Sequence, residues 1–335
     1  MTNKKYLLIK IITVFLLVNS TLSGDILSNY RLNGIENIEK QMDANLMKKD
    51  YWDKYLNNVN TTFGYIESYS NILVCDKSLA TLTLYIKDVN GSYNLKRKYS
   101  AFTGEIKGDK VKEGDLKTPI GIYDITKKIS KVDSFYGPMA FVTSYPNIYD
   151  KYRGKNGSGI WIHGLPTKQV RDEYTKGCIA INNQNIECLD RNIDIKQTLL
   201  LINEKEISQN VSKNTLANIL AQLYEWRYAW LYNDIKSYLH FYDESFIRYD
   251  GMNSQKFKTY KTRIFNKKES KKIIFYKINI IPYPNTDNMY KITFLEKYQS
   301  DSLLMLTGDF LGSLIFLFFL SYYKNGILKI IHKYI

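Results

Sequence analysis

Two short stretches decide how this chain folds, GIWIHGLP at residues 159–166 and TKGCIAI at residues 175–181. The first is typical of a strand that delivers His163 to its end, and Cys178 follows fifteen positions later, directly after a glycine. A thiol attacks as the thiolate, and a nearby imidazole can take its proton or, as a cation, lower its pKa. Gly177 permits a tight turn that lets backbone amides near Cys178 face a developing oxyanion. On the residues alone two interpretations stay open: a thiol nucleophile with its base, or a small buried cysteine with a core histidine.

Short strands surround these two stretches. Leu82, Leu84 and Ile86 alternate with less apolar residues, the period-two pattern of a half-buried strand. Asn90-Gly91 then predicts a hairpin turn. Further strands are predicted at residues 93–102, 120–126, 139–143, 159–163 and 198–202. Many short strands with few helices between them predict a mainly antiparallel β-sandwich over residues 71–206.

The C-terminal part, residues 210–335, has a different pattern. A long helix or a helix pair is predicted over 215–240, with Asn214 as its N-cap. Strands follow at 272–281 and 290–297, and a hairpin turn at 325–326. The apolar run 310–320 is too short for a stable membrane span and precedes that turn, so we expect a buried strand. Together these elements predict a separate α+β domain.

Residues 1–23 predict a signal peptide. Lys4 and Lys5 precede the apolar run 11–18, and small residues follow up to Ser23. An uncleaved anchor is the alternative, and both interpretations place the bulk of the chain in the periplasm. Residues 24–70 carry apolar side chains at helical spacing, which predicts amphipathic helices that need a partner surface.

Composition narrows the choice of partner. The chain has 335 residues, a formal net charge of +14, three cysteines and three histidines. The widely spaced histidines and the absence of a C-x-x-C pair predict no metal site, and no cofactor motif is present. The basic balance allows nucleic acid, an anionic membrane surface or an acidic polymer as partner. Export excludes nucleic acid in practice and favours the polymers of the cell envelope, with no stable membrane span in the mature chain.

The region from residue 71 to 206 resembles the L,D-transpeptidase (YkuD) family, whose signature is His-Gly, a spacer and then Ser/Thr-His-Gly-Cys. His163 and Gly164 match the first part, and Thr175, Gly177 and Cys178 match three of the four residues in the second. The upstream signature also occurs, as KTPIGIY at 117–123. The fold expected is therefore a YkuD-type β-sandwich that acts on peptidoglycan stem peptides.

The resemblance also implies a role for each matched site residue. Cys178 is the expected nucleophile and His163 the base. The Gly164 carbonyl is expected to orient the imidazole, and the backbone of Gly177 and Cys178 to form the oxyanion hole.

Two departures from the family pattern point to a subgroup. Lys176 stands where most cross-linking members have His, and Ala180 where they usually have Arg. The aromatic helix at 226–230, followed by aromatic-rich strands, looks like a cone-shaped nuclear-transport-factor-like domain. This layout resembles epsilonproteobacterial L,D-carboxypeptidases, which trim tetrapeptide stems to tripeptides. In such proteins the N-terminal helices can mediate dimerisation, so a homodimer is one alternative here.

Several residues are candidates for binding the substrate. A carboxypeptidase must hold a terminal carboxylate, and Arg171, Lys176 and Lys117 are cations close in sequence to the signatures. Trp161, beside His163, either lines the site or fills the core. Thr175 belongs to the signature and is the fifth candidate.

Three functions remain open at this point: the carboxypeptidase, a transpeptidase that forms cross-links or attaches a protein to the wall, and a wall-binding module with weak or no catalysis. A disulfide between Cys75 and Cys188 is also open, because the sequence does not place them near each other.

Overall fold

The computed structural model describes residues 26–168, 174–204, 211–301, 313–324 and 326–334. The predicted signal peptide and Arg171 lie outside the described residues. The two main bodies are a β-barrel and a C-terminal sheet covered by helices.

The barrel contains eight strands: β2 (Asn71–Asp76), β3 (Thr81–Lys87), β4 (Tyr93–Phe102), β5 (Gly121–Ile129), β6 (Ala140–Thr143), β7 (Trp161–His163), β8 (Ile179–Ile181) and β9 (Thr198–Asn203). They close in the order β2-β3-β4-β8-β7-β6-β5-β9. The predicted sandwich is therefore not confirmed. Alternation of apolar residues shows which face of a strand is buried, but closure depends on β9 pairing with both β2 and β5.

Most of the strand positions predicted in the barrel agree with the structure. The sheet is mainly antiparallel, with parallel pairing in β2–β9 and β7–β8. The β3–β4 hairpin turns at Gly91, which has a φ of +82°. Strand β8 and helix α4 (Asn183–Asn192) were not predicted, and α4 buries Ile186 and Leu189 in the barrel core. A further short helix, α3 (Ile148–Tyr152), lies between β6 and β7.

The C-terminal domain is a six-stranded sheet in the order β1-β11-β12-β13-β14-β10. Its strands are β1 (Tyr65–Ile66), β10 (Tyr242–Arg248), β11 (Lys271–Pro282), β12 (Met289–Ser300), β13 (Ser313–Lys324) and β14 (Ile327–Tyr334). Among the described residues, the helices α5 (Lys213–Leu231), α6 (Ile235–His240) and α7 (Ser254–Phe265) belong to it. The helix predicted at 215–240 is thus two helices, α5 and α6. The described part of the apolar run 310–320 lies in the strand β13.

Two further observations concern the helices. The N-cap of α5 is Ser212, whose Oγ accepts the N–H of Thr215 at 3.4 Å, and not Asn214. None of the helices in the described ranges is long and apolar enough to cross a membrane.

Helix α2 and the end of α1 pack on the C-terminal domain. Helix α1 spans residues 26–46 and is followed by α2 (Lys49–Leu56). The Trp52 ring stacks on Tyr224 of α5 at 5.3 Å between centroids, and Asp43 pairs with Arg227 at 2.8 Å. The first turns of α1 keep apolar side chains exposed, among them Leu27 at 65%. The partner surface expected for the helices is therefore found for α2 and the end of α1, and a homodimer stays a prediction.

An apolar cluster joins the barrel to the C-terminal sheet. Ile72 of β2 and Leu199 and Leu201 of β9 pack there with Ile281 and Met289 of the C-terminal domain. All six residues of β9 are buried because one face lines the barrel core and the other faces this cluster. The C-terminal domain thus covers barrel strands that otherwise expose apolar side chains to water.

Candidate active site

Parallel pairing of β7 with β8 brings the two signature stretches together. Ile162 is paired with Ile179, and His163 with Ala180. Side chains alternate between the faces of a strand, so Trp161 and His163 lie on the same face as Cys178, which directly precedes β8. The predicted histidine and cysteine are therefore neighbours at one edge of the barrel.

The His163 imidazole is buried, with 4% of its surface exposed, and is held through one nitrogen. Its Nδ1 lies 2.6 Å from the Gly164 carbonyl oxygen. A carbonyl oxygen only accepts hydrogen bonds, so Nδ1 carries the proton and Nε2 is the nitrogen that can accept one. The expected orienting role of Gly164 agrees with this geometry.

Gly164 is itself fixed by close backbone contacts. Its N–H donates to the Tyr136 carbonyl at 2.9 Å, and the Leu165 N–H donates to Asn183 Oδ1 at 2.7 Å. A Cβ at position 164 would lie 2.3 Å from that same Oδ1. Glycine is therefore required here by the close approach of Asn183, at the start of α4.

The Cys178 thiol is half-buried and donates to the Gly159 carbonyl at 3.3 Å. Burial raises the pKa of this thiol above its ordinary value, whereas a hydrogen bond from the Trp161 backbone and the charge of Lys110 lower it. Burial prevails, so the resting thiol is mainly protonated at neutral pH. A reaction through the thiolate needs a base to remove that proton.

The turn before Cys178 is held by Thr175. Its Oγ1 accepts the Gly177 N–H at 3.0 Å and donates to the Cys178 carbonyl at 2.7 Å. The predicted substrate-binding hydroxyl is thus occupied within the turn, where it positions the thiol. The Gly177 N–H is occupied in the same turn. The oxyanion hole expected from the backbone of Gly177 and Cys178 stays a prediction.

The upstream signature at 117–123 contacts the same turn. Gly104 forms a parallel bridge with Thr175, and its N–H donates to Thr118 Oγ1 at 2.7 Å. Gly177 has a φ of +132°, and a Cβ there would lie 2.7 Å from the Lys117 carbonyl oxygen. The upstream signature and the turn before Cys178 are thus packed against each other through their backbones.

The cations proposed to hold a carboxylate differ in their positions. Lys176 is exposed, two residues before Cys178. The half-buried Lys117 directs its ammonium to Gly108, where Nζ lies 3.6 Å from the point that a Cβ would occupy. Arg171 lies outside the described residues. Lys176 is therefore the described cation of this set that remains open to solvent beside the thiol.

Tyr136 is a site residue that the sequence did not predict. Its ring meets the His163 ring edge-on at 5.0 Å and the half-buried Trp161 ring at 5.1 Å. Burial raises the pKa of its hydroxyl, and the charge of Cys178 raises that pKa further. Tyr136 ends a 3₁₀ turn (Ser134–Tyr136) that lies between the upstream signature and His163 in the sequence, and the only local signal was the turn-forming Gly-Pro that follows.

Cys75 and Cys188 are not bridged, and the described residues hold no metal-binding cluster. All three cysteines are free, and burial raises the pKa of Cys75 to about 12. Cys188 accepts a hydrogen bond from Arg97 Nη1 at 3.0 Å. Within the described part of the chain, no group of three or more His, Cys, Asp or Glu side chains could hold a metal ion.

Comparison with known proteins agrees with this geometry. Residues 70–202 match the family model of the L,D-transpeptidase catalytic domain (YkuD), and residues 218–307 match that of the Cds6 C-terminal NTF2-like domain. A solved structure of the helical cell shape determining protein Pgp2 from Campylobacter jejuni is 37% identical, with a TM-score of 0.77 and coverage of 86% of this chain and 99% of that one. The chain belongs to the L,D-transpeptidase (YkuD) family.

Other relatives are more distant or match over a shorter range. Bd1075 from Bdellovibrio bacteriovorus is 26% identical, with a TM-score of 0.64 over 82% of this chain and 97% of that one. The putative L,D-transpeptidase YafK of Escherichia coli is 34% identical over 113 residues, and this chain spans only 42% of its length. Family membership makes the chain a peptidoglycan-modifying enzyme of the cysteine type, with an NTF2-like domain at its C-terminal side.

Proposed function

We propose that the chain is an L,D-carboxypeptidase that removes the terminal D-Ala from tetrapeptide stems of peptidoglycan and leaves tripeptides. The observation that carries this proposal is the buried His163, fixed through Nδ1 on Gly164, beside the half-buried Cys178 thiol. This arrangement supplies a base and a nucleophile at one edge of the barrel.

The first half of the reaction forms a thioester. His163 Nε2 takes the Cys178 proton as Sγ attacks the carbonyl carbon that precedes D-Ala, and the N–H of Cys178 binds the resulting oxyanion. Collapse of the tetrahedral intermediate breaks the C–N bond. The imidazolium returns its proton to the amine of the leaving D-Ala, and the acyl group stays on Sγ.

The second half releases the tripeptide. His163 takes a proton from water, the water oxygen attacks the thioester carbonyl, and the C–S bond breaks. The imidazolium then protonates the departing thiolate, which restores the resting thiol.

Two residues favour water over an amine as the acceptor. Lys176 replaces a titratable ring that most cross-linking members carry, and its side chain is exposed. Ala180 stands where those members usually have Arg, and it is fully buried between His163 and Phe102. A site without those two groups lacks side chains expected to bind or activate a second stem. In this proposal Lys176, with Lys117 and Arg171 as further candidates, attracts the terminal carboxylate.

Transpeptidation is the alternative, and the relative YafK, which is named as an L,D-transpeptidase, supports it. An amine from another stem then resolves the same thioester. Weak or absent catalysis, with wall binding by the C-terminal domain, is the third candidate.

Product analysis separates these alternatives. We expect purified tetrapeptide muropeptides to give tripeptide and free D-Ala, and in ¹⁸O-labelled water the tripeptide should gain one labelled oxygen. Cys178→Ala should abolish turnover, whereas Cys188→Ala, which changes another half-buried thiol, should not. Dimers or acceptor exchange in place of labelled tripeptide indicate the transpeptidase, and binding without turnover by the wild type indicates the module.

The proposed substrate also implies a location and a domain division. Peptidoglycan lies outside the cytoplasmic membrane, so we place the enzyme in the periplasm, after export by a signal peptide at residues 1–23. We propose residues 24–70 as an N-terminal helical segment, 71–206 as the catalytic domain and 210–335 as the NTF2-like domain. The name of the Pgp2 relative suggests a contribution to cell shape.

A further inference from the structure

A buried ion pair lies behind the candidate nucleophile. Only 2% of Lys110 is exposed, and its Nζ lies 2.7 Å from Asp115 Oδ1. The same carboxylate accepts backbone N–H groups of Val111, Lys112 and Lys117 at 2.8, 3.0 and 3.2 Å. Burial alone raises the pKa of Asp115, but the ammonium and these amides together hold it well below its usual range. The Asp115 carboxylate is therefore ionised at neutral pH.

The loop closed by this pair touches the backbone on both sides of Cys178. On one side, the Val111 carbonyl accepts the Asn156 N–H at 2.9 Å, three residues before the Gly159 carbonyl that receives the thiol. On the other side, the Lys117 carbonyl packs against Gly177. The loop therefore contacts the chain on both sides of Cys178, near the carbonyl that accepts the thiol and at the glycine that precedes it.

The Lys110 side chain packs against the backbone that leads to the hydrogen-bond acceptor of the thiol. Its Cε lies 2.9 Å from the point that a Cβ on Gly157 would occupy, two residues before the Gly159 carbonyl, and its charge lowers the pKa of Cys178. Its carboxylate partner is held by the far side of the loop. A buried positive charge in a medium of low polarity acts over several ångströms with little screening.

We propose that Lys110 is a positioning residue whose buried ammonium, held by Asp115, stabilises negative charge on Cys178 Sγ and makes the thiol more reactive. The inference rests on the proposed function only in taking Cys178 as the nucleophile, because the charge acts on the thiol whichever acceptor resolves the thioester. Lys110 is not among the cations that the sequence predicted near the site.

Other charged and titratable groups around the pair are known from the structure. Cys178 is faced by His163 and Tyr136, and the exposed Lys176 is close in sequence. Lys110 is faced by Asp115 and by Tyr145, whose hydroxyl donates to the Lys110 carbonyl at 3.3 Å. Beyond Tyr145, Lys155 pairs with Asp109 at 2.7 Å and with Asp150 at 2.9 Å. Apart from Asp115, none of these groups changes in the variants described next.

The test measures how fast iodoacetamide alkylates Cys178 as the pH is raised, with the modified peptide quantified by mass spectrometry. Lys110→Met should move the midpoint upward by about half a pH unit, which slows alkylation at neutral pH about threefold. Lys110→Arg should restore the midpoint. Asp115→Asn should move it downward, because the ammonium then acts without its counter-charge.

Lys77→Met is the matched control. Lys77 is an equally buried barrel lysine, paired with Glu204, and its charge acts on Cys75. We expect it to lower the melting temperature and to leave the Cys178 midpoint unchanged.

Opposite shifts for Lys110→Met and Asp115→Asn support the proposal. No shift for either variant, shifts in the same direction, or an equal shift for Lys77→Met overturns it and leaves the pair a purely structural role. If Lys110→Met does not fold, the direction of the Asp115→Asn shift decides. The readout needs no substrate, so a failure of this proposal and a failure of the carboxypeptidase proposal are distinguishable.

Discussion

The two main bodies of the molecule are built by different kinds of contact. At the β7–β8 edge of the barrel, the candidate residues are held by backbone carbonyls, backbone amides and glycines approached within 3 Å. Inside the C-terminal domain, the contacts are between large rings. Trp226 packs there against Trp230, Tyr238, Phe275 and Phe294 at centroid distances of 5.3, 5.5, 6.0 and 6.5 Å.

This difference explains why one region could be interpreted from sequence and the other could not. Close backbone packing demands particular residues at particular positions, and such demands appear as a motif. An aromatic core tolerates many combinations of similar volume, so it indicates a fold without indicating a ligand.

The largest effect on stability is expected from the aromatic core. Trp226→Ala removes a fully buried ring and its hydrogen bond to the Tyr242 hydroxyl, at 3.2 Å. We expect a loss of about 3–5 kcal/mol in the free energy of unfolding, measured by denaturant titration. Under conditions in which the variant is folded, Cys178 should be alkylated within about twofold of the wild-type rate. Aromatic contacts act only between neighbouring rings, and the Trp226 ring lies in the other domain.

Tyr249→Ala is the control for that variant, since this aromatic residue of the same domain is 54% exposed. A stability loss as large for Tyr249→Ala as for Trp226→Ala would show that the buried rings are not what holds the domain together.

A smaller loss of stability with a specific loss of activity is expected at the barrel edge. Gly177→Ala forces an L-residue to a φ of +132° and drives its Cβ against the Lys117 carbonyl. We expect a cost of about 2 kcal/mol and a fall in turnover of at least about tenfold, because the strained turn also carries the Cys178 amide.

Gly154→Ala is the control that introduces backbone strain without a steric contact of the added Cβ. Gly154 also has a positive φ, +75°, but a Cβ there meets nothing within 4 Å. It should cost about 1 kcal/mol and leave turnover unchanged. Equal losses of turnover in both variants would contradict the view that contact with Lys117 shapes the site.

The smallest effect is expected from the Tyr136 hydroxyl. Tyr136→Phe keeps the edge-on contact with His163, so kcat should change by less than about threefold, whereas Tyr136→Ala removes the contact and should lower it about tenfold. Steady-state kinetics with a soluble tetrapeptide measures both. Equal losses in the two variants would assign the main role to the hydroxyl instead of the ring.

The sequence predicted the parts of the molecule that are local. The strands β3 and β4, their turn at Gly91 and the strand that ends at His163 all follow from short patterns. Closure of the barrel was missed because it depends on β9 pairing with strands far away in sequence. Tyr136 and Lys110 were missed for the same reason, since only the folded chain brings them to the thiol.

The most direct test of the central claim is to look for the acyl group on Cys178. Protein mixed with tetrapeptide and quenched rapidly in acid is digested, and the Cys178 peptide is weighed by mass spectrometry. We expect a transient adduct equal to the stem without its terminal D-Ala, absent in Cys178→Ala and prolonged in His163→Ala if any forms. Turnover that persists in Cys178→Ala, or an adduct on another residue, would contradict the assignment of the nucleophile.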